Sequence, residues 1–370
     1  MKITSETGTL ADAIGRAARV SPTKGAAYEK AAGVVIQFDG HEALVMATDL
    51  EVTYRQTFMP THADPDKFCW RLPADVVAGF IGGLPMNDGS VVDMTYDDAE
   101  SCVVVTSGKT VAKFNTIDLG GFPIPELFPA SLLKSVEGFA RRVQQVAFAT
   151  DRKSDGILSG VYVTGSKLYG FDRSRLAVVD CTVPVSAPVT VPLAPLAGVL
   201  RNTADLRVGV VDERLVIQPD DDTQASTIIF ADAYPDVENL LKRLASMTGR
   251  CTFSISDMQS ALGRMMVLAR DQRYPRVQVT FDVAAQVMEL DMYVKGLGQM
   301  RDQIECSIEN LSKTVTYSYT PNYILEGLAQ CSGPNIVMEL GEDPLKPCTF
   351  DDGDGFRYMF MPRDPKKTDS

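Results

Sequence analysis

The sequence predicts an α+β fold in which a pair of helices and a set of antiparallel strands occur three times along the chain. Three observations point that way. Amphipathic segments with helical spacing start at Leu10 ("LADAIGRAARV"), Leu132 ("LLKSVEGFARRVQQVAF") and Ile255 ("ISDMQSALGRMMVLA"). Second helices with an N-terminal proline signal follow downstream at Pro73 ("PADVVAGFIGGLP"), Pro192 ("PLAPLAGVLRN") and Pro321 ("PNYILEGLAQCSG"). Between them run valine-rich alternating stretches such as "GVVIQFDG", "EALVMATD", "SCVVVTSGKTVAKFNT", "LRVGVVDERLVIQP" and "RVQVTFDVAAQVMELDMYV", broken by Gly, Asp and Asn as antiparallel hairpins are.

In the helix predicted from Leu132, the residues Leu132, Val136, Phe139, Val143 and Val146 form the apolar face, with Lys134, Arg141 and Gln145 opposite. One face packs and the other is basic. The Pro-rich "GGFPIPELFPA" reads as a first linker and "SMTGR" as a second, giving domains 1–127, 128–246 and 247–370. A chain of 370 residues with 45% apolar content can supply each domain with a core.

Composition removes several functions. A net charge of −12 argues against a surface coated with basic charge for nucleic acid or lipid, although it says nothing of how charge is distributed. No apolar run reaches transmembrane length, and "MKITSETGTLADAIG" has no signal-peptide pattern, so a cytoplasmic protein is expected. The seven cysteines are scattered and read as reduced, mostly buried side chains. With His41 and His62 as the only histidines, a metal centre or histidine base has little to be built from, and no cofactor, metal or catalytic residue is expected. The acidic runs "DDAE", "PDDDT" and "DDGDG" lack calcium-loop spacing and read as solvated turns. Gly296-Leu-Gly298 completes no dinucleotide fingerprint, and lone Trp70 reads as a domain-boundary packing residue. Asp49 in "ATDLEVTYRQ" and Asp172 in "GFDRSRLAVVD" look like equivalent turn positions of one repeated unit.

These phrases carry a resemblance. "ATDLEV", "RLPADVVAGFIGGLP", "SGKTVAKFNT", "FPIPE", "FDRSRLAVVD", "YPDVENLL" and "RYMFMPR" follow one another as similar segments do in bacterial β sliding clamps, the processivity subunit of DNA polymerase III. The resemblance runs through nearly the whole chain. It implies a DNA-clamp fold of three similar domains and a head-to-tail homodimer. Such a dimer closes a ring around duplex DNA, with helices lining the hole and sheets outside.

A clamp must stay on DNA yet slide, which suits moderate basic charge facing the hole and an acidic exterior. The candidate DNA-facing residues are Arg16, Arg19, Lys24, Lys134, Arg141, Arg142, Arg201 and Arg264. The partner-peptide pocket carried over from the resemblance uses Tyr162, Phe171, Arg175, Leu176, Pro235, Leu240, Met359, Phe360, Met361 and Pro362. Methionines suit a surface that accepts several partners. The ring would close through Ala112 and Phe114 against Leu268 and Ala269. Implied partners are DNA, the replicative polymerase, a clamp loader and other proteins with the docking peptide, at the nucleoid and away from membranes.

The chain departs from the family at Arg173-Ser174 in place of Gly-His, at Glu238-Asn239 in place of Arg-Arg, and at Arg363; "DPKKTDS" extends beyond the usual end. Pocket specificity is therefore less legible than the pocket. Competing readings are a clamp-like decoy that binds polymerase or loader without encircling DNA, a two-repeat trimeric clamp, which the third repeat disfavours, and a cytosolic enzyme, for which no nucleophile and base converge.

Overall fold

The computed structural model describes residues 1–22, 29–151, 156–192, 205–244 and 247–364. The first stretch of chain gives β1 (Lys2–Glu6), α1 (Thr7–Val20), β2 (Val34–Phe38), β3 (Ala43–Thr48), β4 (Val52–Phe58), a two-residue β5 (His62–Ala63), β6 (Phe68–Leu72), α2 (Ala74–Gly82), β7 (Val91–Asp97), β8 (Cys102–Ser107) and β9 (Thr110–Asn115). The second gives β10 (Lys134–Glu137), α3 (Phe139–Ala147), β11 (Val161–Val163), β12 (Lys167–Phe171), β13 (Arg175–Asp180), β14 (Val189–Val191), β15 (Asp205–Val211), β16 (Arg214–Gln218) and β17 (Thr223–Ile228). After α4 (Val237–Leu244), the third gives β18 (Gly249–Ser254), α5 (Ile255–Leu268), β19 (Val277–Asp282), β20 (Val287–Val294), β21 (Gly298–Glu309), β22 (Val315–Tyr319), α6 (Pro321–Leu328), β23 (Asn335–Leu340), β24 (Cys348–Asp351) and β25 (Phe356–Phe360). The same order, strand then helix, four strands, helix, three strands, is visible in the first and third stretches, the first adding only the two-residue β5 between its helices. In the second, the helix expected after Pro192 falls on residues 193–204, outside those described.

The chain forms two compact units: Met1–Arg141 with Val183–Ala231, and Arg142–Thr182 with Asp232–Ser370. The units cut across the repeats because sheets continue from one repeat to the next. In the first unit, β17 pairs with β4, joining strands into the order β10-β15-β16-β17-β4-β3-β2-β6; a second sheet runs β5-β1-β7-β8-β9. In the second unit, β13 pairs with β25 within the order β11-β12-β13-β25-β24-β23-β18-β21-β20-β19-β22.

Helices cover these sheets with small and apolar faces. α1 buries Leu10, Ala13, Ile14 and Ala17, and α2 buries Ala74, Val77 and Ile81. α5 starts on an N-cap, the Ser254 hydroxyl accepting from the Asp257 N–H at 3.3 Å, and buries Met258, Ala261, Leu262 and Met265. α6 lies so close to β25 that a Cβ on Gly327 would meet the Tyr358 ring at 2.4 Å. Tyr317, Tyr319, Phe350, Tyr358 and Phe360 form a continuous aromatic core there. Each such buried ring contributes about 1.5–3 kcal/mol.

Two expectations change. The helix expected from Leu132 begins only at Phe139. Gly138 has φ of 63°, which no right-handed helix accommodates, and Val136 pairs with Leu206 as part of β10. Trp70 is not at a boundary: it lies in β6, stacked on Phe68 at 3.8 Å and on Tyr96 at 6.3 Å, within the first repeat. The cysteines are all free, four of them buried and three half-buried. Among the described residues, no helix is long and apolar enough to cross a membrane.

Candidate functional site

Strand alternation decides which of the expected pocket residues meet. Paired residues share a face of a sheet and their neighbours take the other. The pairs Tyr162↔Tyr169, Tyr169↔Val178, Phe171↔Leu176 and Leu176↔Met359 place Tyr162, Tyr169, Phe171, Leu176, Val178 and Met359 on one face. α4 lies on that face. Val237 is buried in the cluster, with Tyr234, Leu240 and Leu241 packed against it. Tyr162 and Tyr234 stack at 4.6 Å with ring planes 5° apart, and the Tyr169 hydroxyl donates to Glu238. Burial, then that bond, raises the Tyr169 phenol far above its ordinary value, so it stays a donor.

Beside this cluster opens a pocket of about 580 Å³ lined by Phe171, Leu240, Met359 and Met361 from the expected set. Met247, Leu345 and Pro347 add apolar surface, and Arg173, Lys346, Glu342 and Asp343 supply charge of both signs. The Ser312 hydroxyl and N–H bind the Glu342 carboxyl and hold it below the usual range. Pro362 lines a second, adjoining pocket, and Pro235 is exposed just before α4, its carbonyl accepting from the Val237 N–H.

Arg175 and Phe360 do not belong to this face. They pair with each other on the opposite one, Phe360 in the aromatic core. The Arg175 guanidinium lies 4.5 Å from the Tyr323 ring centre, binds Asp172 at 2.8 Å and also reaches Glu326. Burial opposes its charge, but Tyr358, Asp172 and Glu326 outweigh that and raise its pKa. Both residues support the wall from behind.

The sequence carries a signal for α4: Val237, Leu240, Leu241 and Leu244 have helical spacing after Asp236, whose carboxylate accepts from the Asn239 N–H at 3.0 Å. The loop carrying Glu342 to Pro347 had no such signal, because only tertiary packing brings it to the pocket.

The candidate DNA-facing cations scatter. Arg16 is 7% exposed and bound to Asp12 at 3.0 Å, so it presents no cation to solvent, since helical spacing brings the two together. Arg264 is exposed but paired to Asp302. Arg19 and Arg141 are exposed on α1 and α3. Lys134 is exposed on β10 rather than on a helix, and Arg142 donates to Gln145 and the Asp354 carbonyl. Lys24 and Arg201 lie outside the described residues.

At the expected interface, Ala112 and Phe114 sit on β9, which ends its sheet. Phe114 packs edge-on against Phe80 at 5.4 Å. Leu268 is half-buried at the end of α5. Ala269 is 1% exposed and caps the helix through its N–H, leaving no surface for a partner, whereas Val267 beside it is 76% exposed.

The acidic runs are turns: the Asp97 carboxylate accepts from the Ala99 and Glu100 N–H groups, Asp220 from Asp222, and Asp351 from Gly353. Asp97, Glu100 and Cys102 converge, but the Lys113 ammonium already sits there, 2.5 Å from Glu100.

This architecture is the fold of the bacterial sliding clamps. The chain superposes on the DNA polymerase III β subunit of Thermotoga maritima with a TM-score of 0.81 at 20% identity, over 98% of this chain and 99% of that one. It also superposes on the DNA polymerase sliding clamp of Pseudomonas aeruginosa (0.78, 17%, 98% and 100%) and that of Bacillus subtilis (0.79, 17%, 98% and 99%). No family model and no curated protein sequence matches the chain.

Proposed function

We propose that this protein is a non-enzymatic DNA sliding clamp, whose two copies close head to tail around duplex DNA and tether a replicative polymerase, a loader and other partners through the α4 pocket. The domains are the repeats 1–127, 128–246 and 247–370, acting in the cytoplasm at the nucleoid.

One observation carries the reading: the two inter-repeat sheet joints share a register. Val52 pairs with Thr227 and Arg175 with Phe360, and Val52 and Arg175 each lie three residues after their turn aspartate. A third joint of this kind needs β9 on one side and, on the other, the part of β21 from Gly298 to Glu305, which pairs with β20 while β18 takes Cys306 to Glu309. Counting along the ladders from α2 and α6 sets Arg301 of β21 at the place of Arg55, through the pairs Val34↔Leu72, Val35↔Met46, Met46↔Arg55 and Val277↔Tyr319, Gln278↔Asp291, Asp291↔Arg301. Counting from α1 and α5 sets Val111 of β9 at the place of Arg357, through Glu6↔Val91, Thr106↔Val111 and Ser254↔Asn335, Asp351↔Arg357. A second copy can then bring Val111 opposite Arg301, Ala112 opposite Met300 and Lys113 opposite Gln299. Pairing would satisfy an open edge that otherwise invites aggregation.

Arg19, Lys134, Arg141 and Arg142, with Lys24 and Arg201, are the proposed DNA-facing cations. A clamp-like decoy remains the second reading, favoured by the loss of Arg16 and Arg264 as unpaired cations. Native mass spectrometry tests the closure. Two chains per particle support it, and a monomer or a trimer overturns it.

A further inference from the structure

We propose that Cys251 and Cys306 are a redox couple, joined by a disulfide when a small disulfide such as oxidised glutathione is present, at the place where β21 leaves β18 for the ring joint proposed above. Cys251 pairs with Ile308 and Cys306 with Phe253 across β18 and β21, so the two cysteines are diagonal neighbours on one face of the sheet. Their thiols meet there, the Cys251 thiol donating to the Cys306 sulfur. Cys251 is fully buried, whereas Cys306 is half-buried and open to a reagent. Of the three half-buried cysteines, burial raises Cys69 and Cys331, and only Cys306 is lowered, by the bond from Cys251.

The Cys306 thiolate attacks one sulfur of the glutathione disulfide and releases one glutathione thiolate. What raises the Cys251 thiol is first its bond to Cys306, then burial and the charge on Cys306. The first and last of these end once Cys306 carries glutathione, so Cys251 can give its proton to solvent, attack the Cys306 sulfur and displace the second glutathione thiolate. Two electrons pass from the couple to the glutathione disulfide, and the protons of the two cysteines end on the two glutathiones. Diagonal neighbours stand about 7–8 Å apart at Cα and a disulfide spans at most about 6.8 Å, so closure draws Cys306 toward β18 by about 1 Å. A bond strained in this way is readily reduced again. Glu305, the residue before Cys306, ends the stretch from Gly298 that pairs with β20 and not with β18, the edge offered to β9 of a second copy. Hydrogen bonds weaken steeply with misalignment, so the oxidised chain should close the ring less well.

The test uses the full chain, reduced and then exposed to oxidised glutathione. The intact mass should fall by two hydrogens, peptide mapping should join Cys251 to Cys306, and dithiothreitol should reverse both. Cys251→Ala should stop at a glutathione adduct on Cys306, and Cys306→Ala, at the half-buried position, should show neither adduct nor link. Should Cys251→Ala fail to fold, Cys306→Ala still decides. A chain that stays fully reduced, or a link between other cysteines, overturns the couple. By native mass spectrometry the oxidised wild type should dimerise about tenfold more weakly than the reduced one, and Cys306→Ala should not respond to the oxidant. Equal dimerisation overturns the effect on closure. A reduced chain that is already monomeric counts against the ring reading, on which that effect rests, and the mapping then judges the couple alone.

Discussion

Asp49 and Asp172 close two hairpins in the same way. Each carboxylate accepts from the N–H groups two and three residues on, Glu51 and Val52 in one case and Ser174 and Arg175 in the other. The residue following each, Leu50 and Arg173, has φ of 80° and 73°. The aspartate satisfies donors that a two-residue turn leaves open, which explains its recurrence without any chemistry. The third repeat turns instead through Gly296 and Gly298.

The two aspartates differ in cost. Burial raises the Asp49 pKa even though the backbone N–H groups bind its charged form. A raised folded-state value means that the folded protein binds the proton more tightly than the unfolded one. Stability from this group is fully present below the unfolded value of about 3.9 and lost as pH rises through the folded value. Wild type should therefore gain stability relative to Asp49→Asn as pH falls through that window. Urea unfolding at several pH values checks this, and a difference constant with pH contradicts it.

Gly327→Ala should destabilise the protein by about 1–3 kcal/mol, because the new methyl must displace the Tyr358 ring or part α6 from β25. Thermal melting reads the loss. Gly263 of α5 has open space around its Cβ position, so Gly263→Ala should melt at or above the wild type.

Leu240→Glu places a charge in the apolar lining contributed by α4. Binding of partner peptides should fall about tenfold or more, with the native mass unchanged. Full peptide affinity in this variant would move the docking site elsewhere.

The register of the proposed joint is testable by cross-linking. Lys113→Cys with Gln299→Cys should give a covalent dimer on mild oxidation, since directly opposed residues in a sheet meet the distance a disulfide needs. The single variants should not. A double variant that stays monomeric on denaturing gels contradicts the register.

The sequence made the repeats and most strands legible because their signals are local: alternation, capping residues and prolines at helix starts. It failed where tertiary context decides. Val136 fits a helical stripe and a strand face equally well, and Gly138 settled the matter in favour of β10. Phe171, Leu240, Met359 and Met361 of the expected set line one pocket, but motif spacing did not show which residues share its face. Arg175 and Phe360 belong behind the wall because strand register, which motif spacing does not reveal, turns them away. Arg16 carried the right charge at an exposed-looking helical position; its spacing from Asp12 was readable, but only packing around α1 shows that the pair is buried away from solvent.

The central claim is topological, and retention on DNA tests it most directly. The protein is loaded onto nicked circular plasmid at low salt, washed at moderate salt, and half the sample is linearised by a restriction enzyme. A clamp stays on circles and runs off linear ends. Equal retention on circles and on linear DNA would contradict encirclement and favour the decoy.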